Sequence, residues 1–284
     1  MVNGNKRLYG QAFAIFGLAH ALRVTRDQRY GQAALETWQE IGRRFADGRG
    51  GFRAGTTRDF AKTLLDNNQN PIMHLFEALL ALHDAMGSEA AGDGARKVGD
   101  FVVYRLLQGQ SDGGAFIPEL YDGPWNPLTP EQGGYVDVGH QFEWAFMLSA
   151  AGERGINPIY PQVAERLLKY AIKFGYDGYN GGAFTRITEE SQVDRRKGYW
   201  QQAELLRALM HHAALHGRSD LWGNISQTLA FLRSEFVDAE HGGWYGAPKQ
   251  ECLKSECGNR QPDGYHMTGL HLEAMRLSAP VKAR

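Results

Sequence analysis

Asn70-Pro71-Ile72-Met73-His74-Leu75-Phe76-Glu77-Ala78-Leu79-Leu80-Ala81-Leu82 reads as a helix that is apolar on nearly every face, with His74 and Glu77 near its start. Asparagine as N-cap followed by proline at the first helical position predicts where it begins, because the missing proline N–H costs nothing there. A helix buried all round belongs to an inner layer. The stretch has counterparts. Ala12-Phe13-Ala14-Ile15-Phe16-Gly17-Leu18-Ala19 has the same character, and Gln11, His74, His140, Gln201 and His266 open such segments at steps of 63, 66, 61 and 65 residues. Paired glycines, Gly50-Gly51, Gly113-Gly114, Gly181-Gly182 and Gly242-Gly243, recur at steps of 63, 68 and 61 residues. Self-similarity at a fixed period sets the architecture.

Each repeat predicts a first helix, a polar turn, a second amphipathic helix and a glycine-pair segment that closes the unit. The first helices fall at 9–22, 71–86, 139–151, 200–216 and 265–277, the second at 30–45, 95–107, 160–174 and 221–236. Second helices carry charge on one face, as in Gln162–Lys173, and belong outside. Ser219-Asp220 is positioned to cap the last of them. An aromatic follows each glycine pair in a short β-like run, at Phe52, Phe116, Phe184 and Trp244. Inner and outer helices at this period predict an all-α chain of the (α/α)6-barrel type, since linear helical solenoids use repeats of about 34 to 47 residues. Residues 1–284 then form one α/α-barrel domain with about four and a half of six hairpins present.

Composition narrows the classes. Net charge is −1, and no Lys/Arg run offers the basic stripe that a nucleic-acid surface needs. No apolar run approaches the 18 or so residues of a membrane span, and the polar start does not read as a signal peptide. Cys252 and Cys257, the only cysteines, read as free thiols of a cytoplasmic protein.

The candidate chemistry lies on the repeated positions. His74-x-x-Glu77, His140-x-x-Glu143 and Gln201-x-x-Glu204 each put two polar groups on one helix face. A polar position repeated on otherwise apolar helices requires a shared purpose beyond satisfying neighbours. Metal binding is one option, but no H-E-x-x-H or C-x-x-C is present. Nucleophilic catalysis lacks a Gly-x-Ser-x-Gly, and Asp47-Gly48-Arg49-Gly50-Gly51 lacks the Gly-Lys-Ser/Thr ending of a phosphate loop. Acid/base chemistry by histidine fits best, because imidazole takes and returns a proton near neutral pH. Trp125, Trp144, Trp200 and Tyr265 would wall a sugar pocket, and Asn70, Gln201 and the glutamates would bond its hydroxyls. His20, His83, His211, His212, His216, His241 and His271 lie off the repeated position and read as surface or packing residues.

These motifs together resemble the N-acylglucosamine 2-epimerase superfamily. The carriers are Arg7-Leu8-Tyr9-Gly10-Gln11-Ala12-Phe13, Asn70–Ala78, Gly139-His140-Gln141-Phe142-Glu143-Trp144, Trp200-Gln201-Gln202-Ala203-Glu204 and Gly264-Tyr265-His266-Met267. The first three are most similar to the aldose–ketose isomerase branch, with mannose isomerase and sulfoquinovose isomerase. The resemblance implies an (α/α)6 barrel and conversion of a monosaccharide through a cis-enediol, with no metal and no organic cofactor. It implies that His140 and His266 are the acid/base pair, that His74 assists ring opening and that Glu143 orients His140. Tyr9, Asn70, Glu77, Trp200, Gln201 and Glu204 would line the sugar site. A 2-epimerase on the same scaffold is the alternative, and a catalytically impaired remnant or an α/α-barrel glycoside hydrolase is the alternative of another class. The resemblance also implies that the family's N-terminal part, with an arginine that steadies the enediolate, is not in this chain; the uncovered flank would then favour a homodimer.

Overall fold

The computed structural model describes residues 4–189, 192–249 and 264–278, so Cys252 and Cys257 lie outside the described residues. Nine α-helices are found among the described residues, in the predicted alternation. They are α1 (Leu8–Thr25), α2 (Gln28–Arg44), α3 (Asn70–Met86), α4 (Glu89–Phe101), α5 (Val138–Glu153), α6 (Tyr160–Gly175), α7 (Tyr199–Leu215), α8 (Trp222–Glu235) and α9 (Gly264–Ser278). By contacts the chain divides into two compact units. One is Met1–Gly109 with Ile117–Tyr135 and Met147–Val163; the other is Gln110–Phe116 with Val136–Phe146 and Ala164–Arg284.

In the first unit α3 is the core. Every residue from Pro71 to Leu80 is buried, and each large apolar side chain so buried is worth about 1.5–3 kcal/mol. α1 and α4 pack on it, and α2 packs on α1. Gln69, not Asn70, is the N-cap of α3; Asn70 is the first helical residue and Pro71 the second. Proline is tolerated throughout that first turn, so the start shifts by one without strain. α2 begins on Asp27, whose carboxylate accepts from the Arg29 N–H at 3.0 Å. α1 departs from the expectation of burial on all faces. Tyr9, Gly10, Ala14, Gly17 and Val24 are exposed, while Leu8, Ala12, Ile15, Ala19 and Leu22 are buried, at helical spacing.

In the second unit α7 plays the part of α3, buried from Gln201 to Leu206. α8 and α9 pack on it. A three-stranded antiparallel ladder joins Val136–Asp137, Arg186–Glu189 and Gln192–Asp194. The expected Ser219-Asp220 cap does not form. Ser219–Leu221 makes a short 3-10 turn, and Asp220 is taken by Arg218 at 2.6 Å.

The glycine-pair turns share a device beyond glycine. An aspartate precedes each pair and receives backbone N–H groups of the turn. Asp47 accepts from Arg49 and Gly51, Asp112 from Gly114, Asp177 from Tyr179 and Asn180, and Asp238 from Glu240 and His241, all between 2.8 and 3.1 Å. At Gly181 and Gly182 φ is +82° and +86°, a conformation that L side chains rarely adopt. Burial pushes the Asp177 carboxyl up, but Lys197 at 2.7 Å and the turn N–H groups outweigh it and bring it to about 2. Gln202 of α7 clamps the same turn. Its side-chain oxygen accepts from Ala183 N at 2.6 Å, and its amide donates to Ala183 O at 2.8 Å and Gly198 O at 3.0 Å. Gln202→Ala should cost about 2–4 kcal/mol, because buried backbone groups lose their partners. Urea unfolding followed by circular dichroism reads that loss; an unchanged midpoint would show that the turn holds without the clamp.

Candidate active site

The repeated polar positions form one cluster within each unit. In the first, Tyr9 in the opening turn of α1 meets His74 of α3 edge-on, with ring centroids 5.0 Å apart. Phe13, one turn along, lies 4.9 Å from the same imidazole. His74 Nδ1 is 3.8 Å from Glu77 Oε2, so the i, i+3 pair does share a face. Both are buried, whereas Tyr9 is 45% exposed. Asn70 opens α3 one turn before His74.

In the second unit the decisive element is the start of α5. Asp137 caps it, accepting from Gly139 N at 3.0 Å and His140 N at 3.4 Å. Gly139 leaves room for Trp200, since a Cβ there would stand 2.7 Å from the indole Cη2. Trp200, in the first turn of α7, has His140 at 5.0 Å and His266 at 5.2 Å, the latter stacked at 30°. Both imidazoles proposed from the sequence thus lie against one indole.

Two fully buried carboxylates support this group. Glu204 of α7 has no exposed surface, and its Oε1 accepts from His266 Nδ1 at 2.8 Å. A carboxylate oxygen accepts, so the hydrogen of this bond sits on Nδ1 of His266. Glu143 of α5, equally buried, accepts the phenol of Tyr265 at 3.2 Å. Gln201, beside Trp200 on α7, is buried too. One ligand atom each from Glu143, Glu204 and His266 lies within 4.8 Å of the others, a donor set that could also hold a divalent cation.

Trp125 belongs elsewhere. It is 1% exposed, its indole N–H donates to Asp47, and its ring packs on Phe101 at 5.0 Å and Tyr121 at 5.5 Å. A Cβ on Gly51 would stand 2.7 Å from it. The indole is consumed in backing a glycine-pair turn and offers no face to a sugar, so the expectation that it walls the pocket is corrected. Among the histidines read as packing residues, His211 is buried on α7 and bonds Glu273 of α9 at 2.8 Å. His212 is buried beside it, and that burial pulls its imidazole down despite a bond to Ala145 O.

The family model described as N-acylglucosamine 2-epimerase (GlcNAc 2-epimerase) matches residues 1–269. The chain belongs to the N-acylglucosamine 2-epimerase family. Among relatives of this family member, a mannose-6-phosphate isomerase of Rhizobium meliloti (strain 1021) is 29% identical over 218 residues, covering 76% of this chain and 55% of that protein. A cellobiose 2-epimerase of Ruminococcus albus is 25% identical over 267 residues, covering 84% of this chain and 63% of that protein. The chain therefore spans less than two thirds of the length of these family relatives. A crystal structure of a D-mannose isomerase superposes with a TM-score of 0.86 at 21% identity, over 96% of this chain and 72% of that one. That likeness establishes the fold of this family member, the (α/α)6-barrel type. Among the described residues no helix is long and apolar enough to cross a membrane.

Arg276 and His211 hold Glu273 at about 2, outweighing the burial that raises it. Its ordinary value is 4.5, so the folded form binds the proton more weakly than the unfolded chain. The resulting stability is present above pH 4.5 and is lost as pH falls through 2. Glu273→Gln should flatten the fall in stability between those values. Acid unfolding curves for both proteins measure it; parallel curves would remove Glu273 from the account.

Proposed function

We propose that the protein is a sugar isomerase that interconverts an aldose and a ketose, mannose to fructose or a close analogue, by histidine acid/base transfer. The observation that carries this reading is the pair of imidazoles, His140 and His266, set against one indole, with the second oriented by a buried carboxylate. An imidazole that presents a lone pair at Nε2 is the base such a reaction needs. The names of the matched relatives, isomerases and 2-epimerases of sugars, support the same class.

In the open-chain aldose, one imidazole removes the proton at C2. The C–H electrons become the C1=C2 bond, and the carbonyl pair moves to O1, giving a cis-enediolate. Return of a proton to C1, with the O2 proton passing to O1, gives the ketose; return to the opposite face of C2, with the O1 pair re-forming the carbonyl, gives the epimer. Glu204 fixes the tautomer of His266, and Trp200 packs against the C–H face of the sugar. The reading assigns His74 to ring opening and Tyr9, Asn70, Glu77 and Gln201 to sugar hydroxyls. Glu143, bonded to Tyr265, keeps the opening turn of α9 in place.

Incubation with D-mannose in D₂O, followed by NMR, tests the proposal. Deuterium at C1 of newly formed fructose is expected. Glucose labelled at C2 would instead make the protein an epimerase, and no exchange in any simple aldose or ketose would sink both. His140→Ala and His266→Ala should each lower the rate by roughly 10²–10⁴-fold, the usual worth of a positioned acid or base. Wild-type exchange in either variant would remove that residue from the proton path.

A further inference from the structure

In every glycine-pair turn the aspartate accepts the N–H two positions on, and the residues that give it are Arg49, Gly114, Tyr179 and Glu240. Only at 179 is that residue aromatic. Tyr179 is 90% exposed, so its ring adds nothing to the buried core. Its backbone, by contrast, is held from both sides. The N–H donates to Asp177 at 3.0 Å, and the carbonyl accepts from Nε2 of Gln227 on α8, also at 3.0 Å. Gln227 is fixed in turn by the Tyr176 phenol, which donates to its Oε1 at 2.8 Å. A pinned turn thus presents an unpacked ring to water, and a group held in place beforehand loses little freedom on binding.

The ring stands at an open groove of about 1000 Å³ lined by this turn, by Arg195 and Lys197, and by α8. The glycine pair lets the turn lie against α8: a Cβ on Gly182 would stand 2.9 Å from Cδ1 of Phe231, and one on Gly181 2.9 Å from Gln227 O. Phe184 and Phe231 add two further rings to the lining. Buried Lys197 lies 5.5 Å and 4.2 Å from their centres and is neutralised by Asp177 at 2.7 Å. The charges left on the lining are one of each sign, Arg195 and Glu235. A polyanion or a polycation would meet its own sign there. A saccharide suits this mixture. Its C–H faces meet the negative faces of the rings, and its hydroxyls both donate and accept. The volume lies at the upper end of the range of small-ligand sites, about 300–1,000 Å³, which leaves room for more than one sugar ring.

We propose that this groove is a second saccharide-binding site, which takes a neutral oligosaccharide with one ring stacked on Tyr179. Arg195 donates to its hydroxyls and Glu235 accepts from them. None of the lining residues belongs to the candidate active site, and the inference does not depend on the isomerase reading.

The test is calorimetric titration with two neutral probes, cellotriose and mannotriose. The wild type should bind at least one of them. Tyr179→Ala should weaken that binding roughly tenfold, the usual effect of losing an aromatic anchor. Tyr179→Phe keeps the ring face and should stay within about twofold of the wild type. Ala230→Trp fills the groove from the exposed face of α8 without altering the turn, and should weaken binding as much as Tyr179→Ala. It also serves if Tyr179→Ala does not fold. Trp200→Ala, which strips a wall of the candidate active site, should leave the affinity unchanged. Absence of binding of both probes to the wild type overturns the proposal. So does equal affinity in the wild type and the folded groove variants, or a loss that follows Trp200→Ala instead. Turnover of D-mannose should be the same in the wild type and Tyr179→Ala. A wild type that turns over no sugar would sink the isomerase reading, whereas the titrations would still decide the groove.

Discussion

A carboxylate with no access to water has to be answered by its neighbours, and Glu204 is such a group. Left alone it would take up a proton or cost several kcal/mol as an anion. Its answer comes from two directions, His266 on α9 and Arg207 on its own helix. Glu143 is in the same position on α5 and is answered by Tyr265. Tyr265 and His266 are consecutive, so the opening turn of α9 is tied to two other helices by two polar contacts. Apolar burial could not do this, because Leu270 and Glu273 are the only buried residues recorded for α9, while Leu272 and Met275 are exposed. Register here is set by charge. A slip of one residue turns a helix by about 100° and would break the Glu204–His266 and His211–Glu273 contacts between α7 and α9 together. The group proposed to move protons and the group that docks the helix are one and the same.

This explains which parts of the molecule could be read from the chain. Helix order and inner or outer placement follow from periodicity and were legible, because α3 and α7 must bury every face and their sequences say so. The i, i+3 pairs were legible for the same reason. Trp125 was not. A tryptophan in a glycine-rich loop suits a sugar wall, and only the contact with Asp47, distant in sequence, shows that its indole is already occupied. The aspartates before the glycine pairs recur at 47, 112, 177 and 238 and could have been found as a third periodic series. Their role depends on backbone N–H groups turned inward, which a sequence does not display. The contact of Arg207 with Glu204, at 3.4 Å, was missed because an arginine on a helix usually marks a wet face. A signal lay in α9, where a Cβ on Gly269 would stand 3.1 Å from the Arg207 guanidinium.

The burial of α1 illustrates a further limit of pattern reading. Its composition matches that of α3, yet it keeps one face exposed, with Tyr9 and Val24 on the outside. Alanine and glycine make up much of that face, at positions 10, 14 and 17. Small residues score as apolar in a pattern but bring little area to bury, so they are compatible with either side of a helix. The full enclosure of α3 comes from α1 and α4 packed on it. Sequence supplies what a face can tolerate, and neighbours decide what it receives.

Under the proposed chemistry, isomerase and epimerase need the same residues. Both pass through one enediolate, and they differ only in which carbon recovers the proton and from which side. No change in residue type at His140, His266 or Glu204 is required to move between them, so motif identity cannot separate the two outcomes. What can separate them is the distance of each imidazole from C1 and C2, and that is a matter of how the sugar is seated. Trp200 is the element that both imidazoles share, and its position follows from the missing side chain of Gly139. A methyl group at 139 would press on the indole and displace the surface on which the sugar rests, while leaving every ionisable group in place. Under that chemistry the ratio of ketose to epimer would follow the packing behind the aromatic wall.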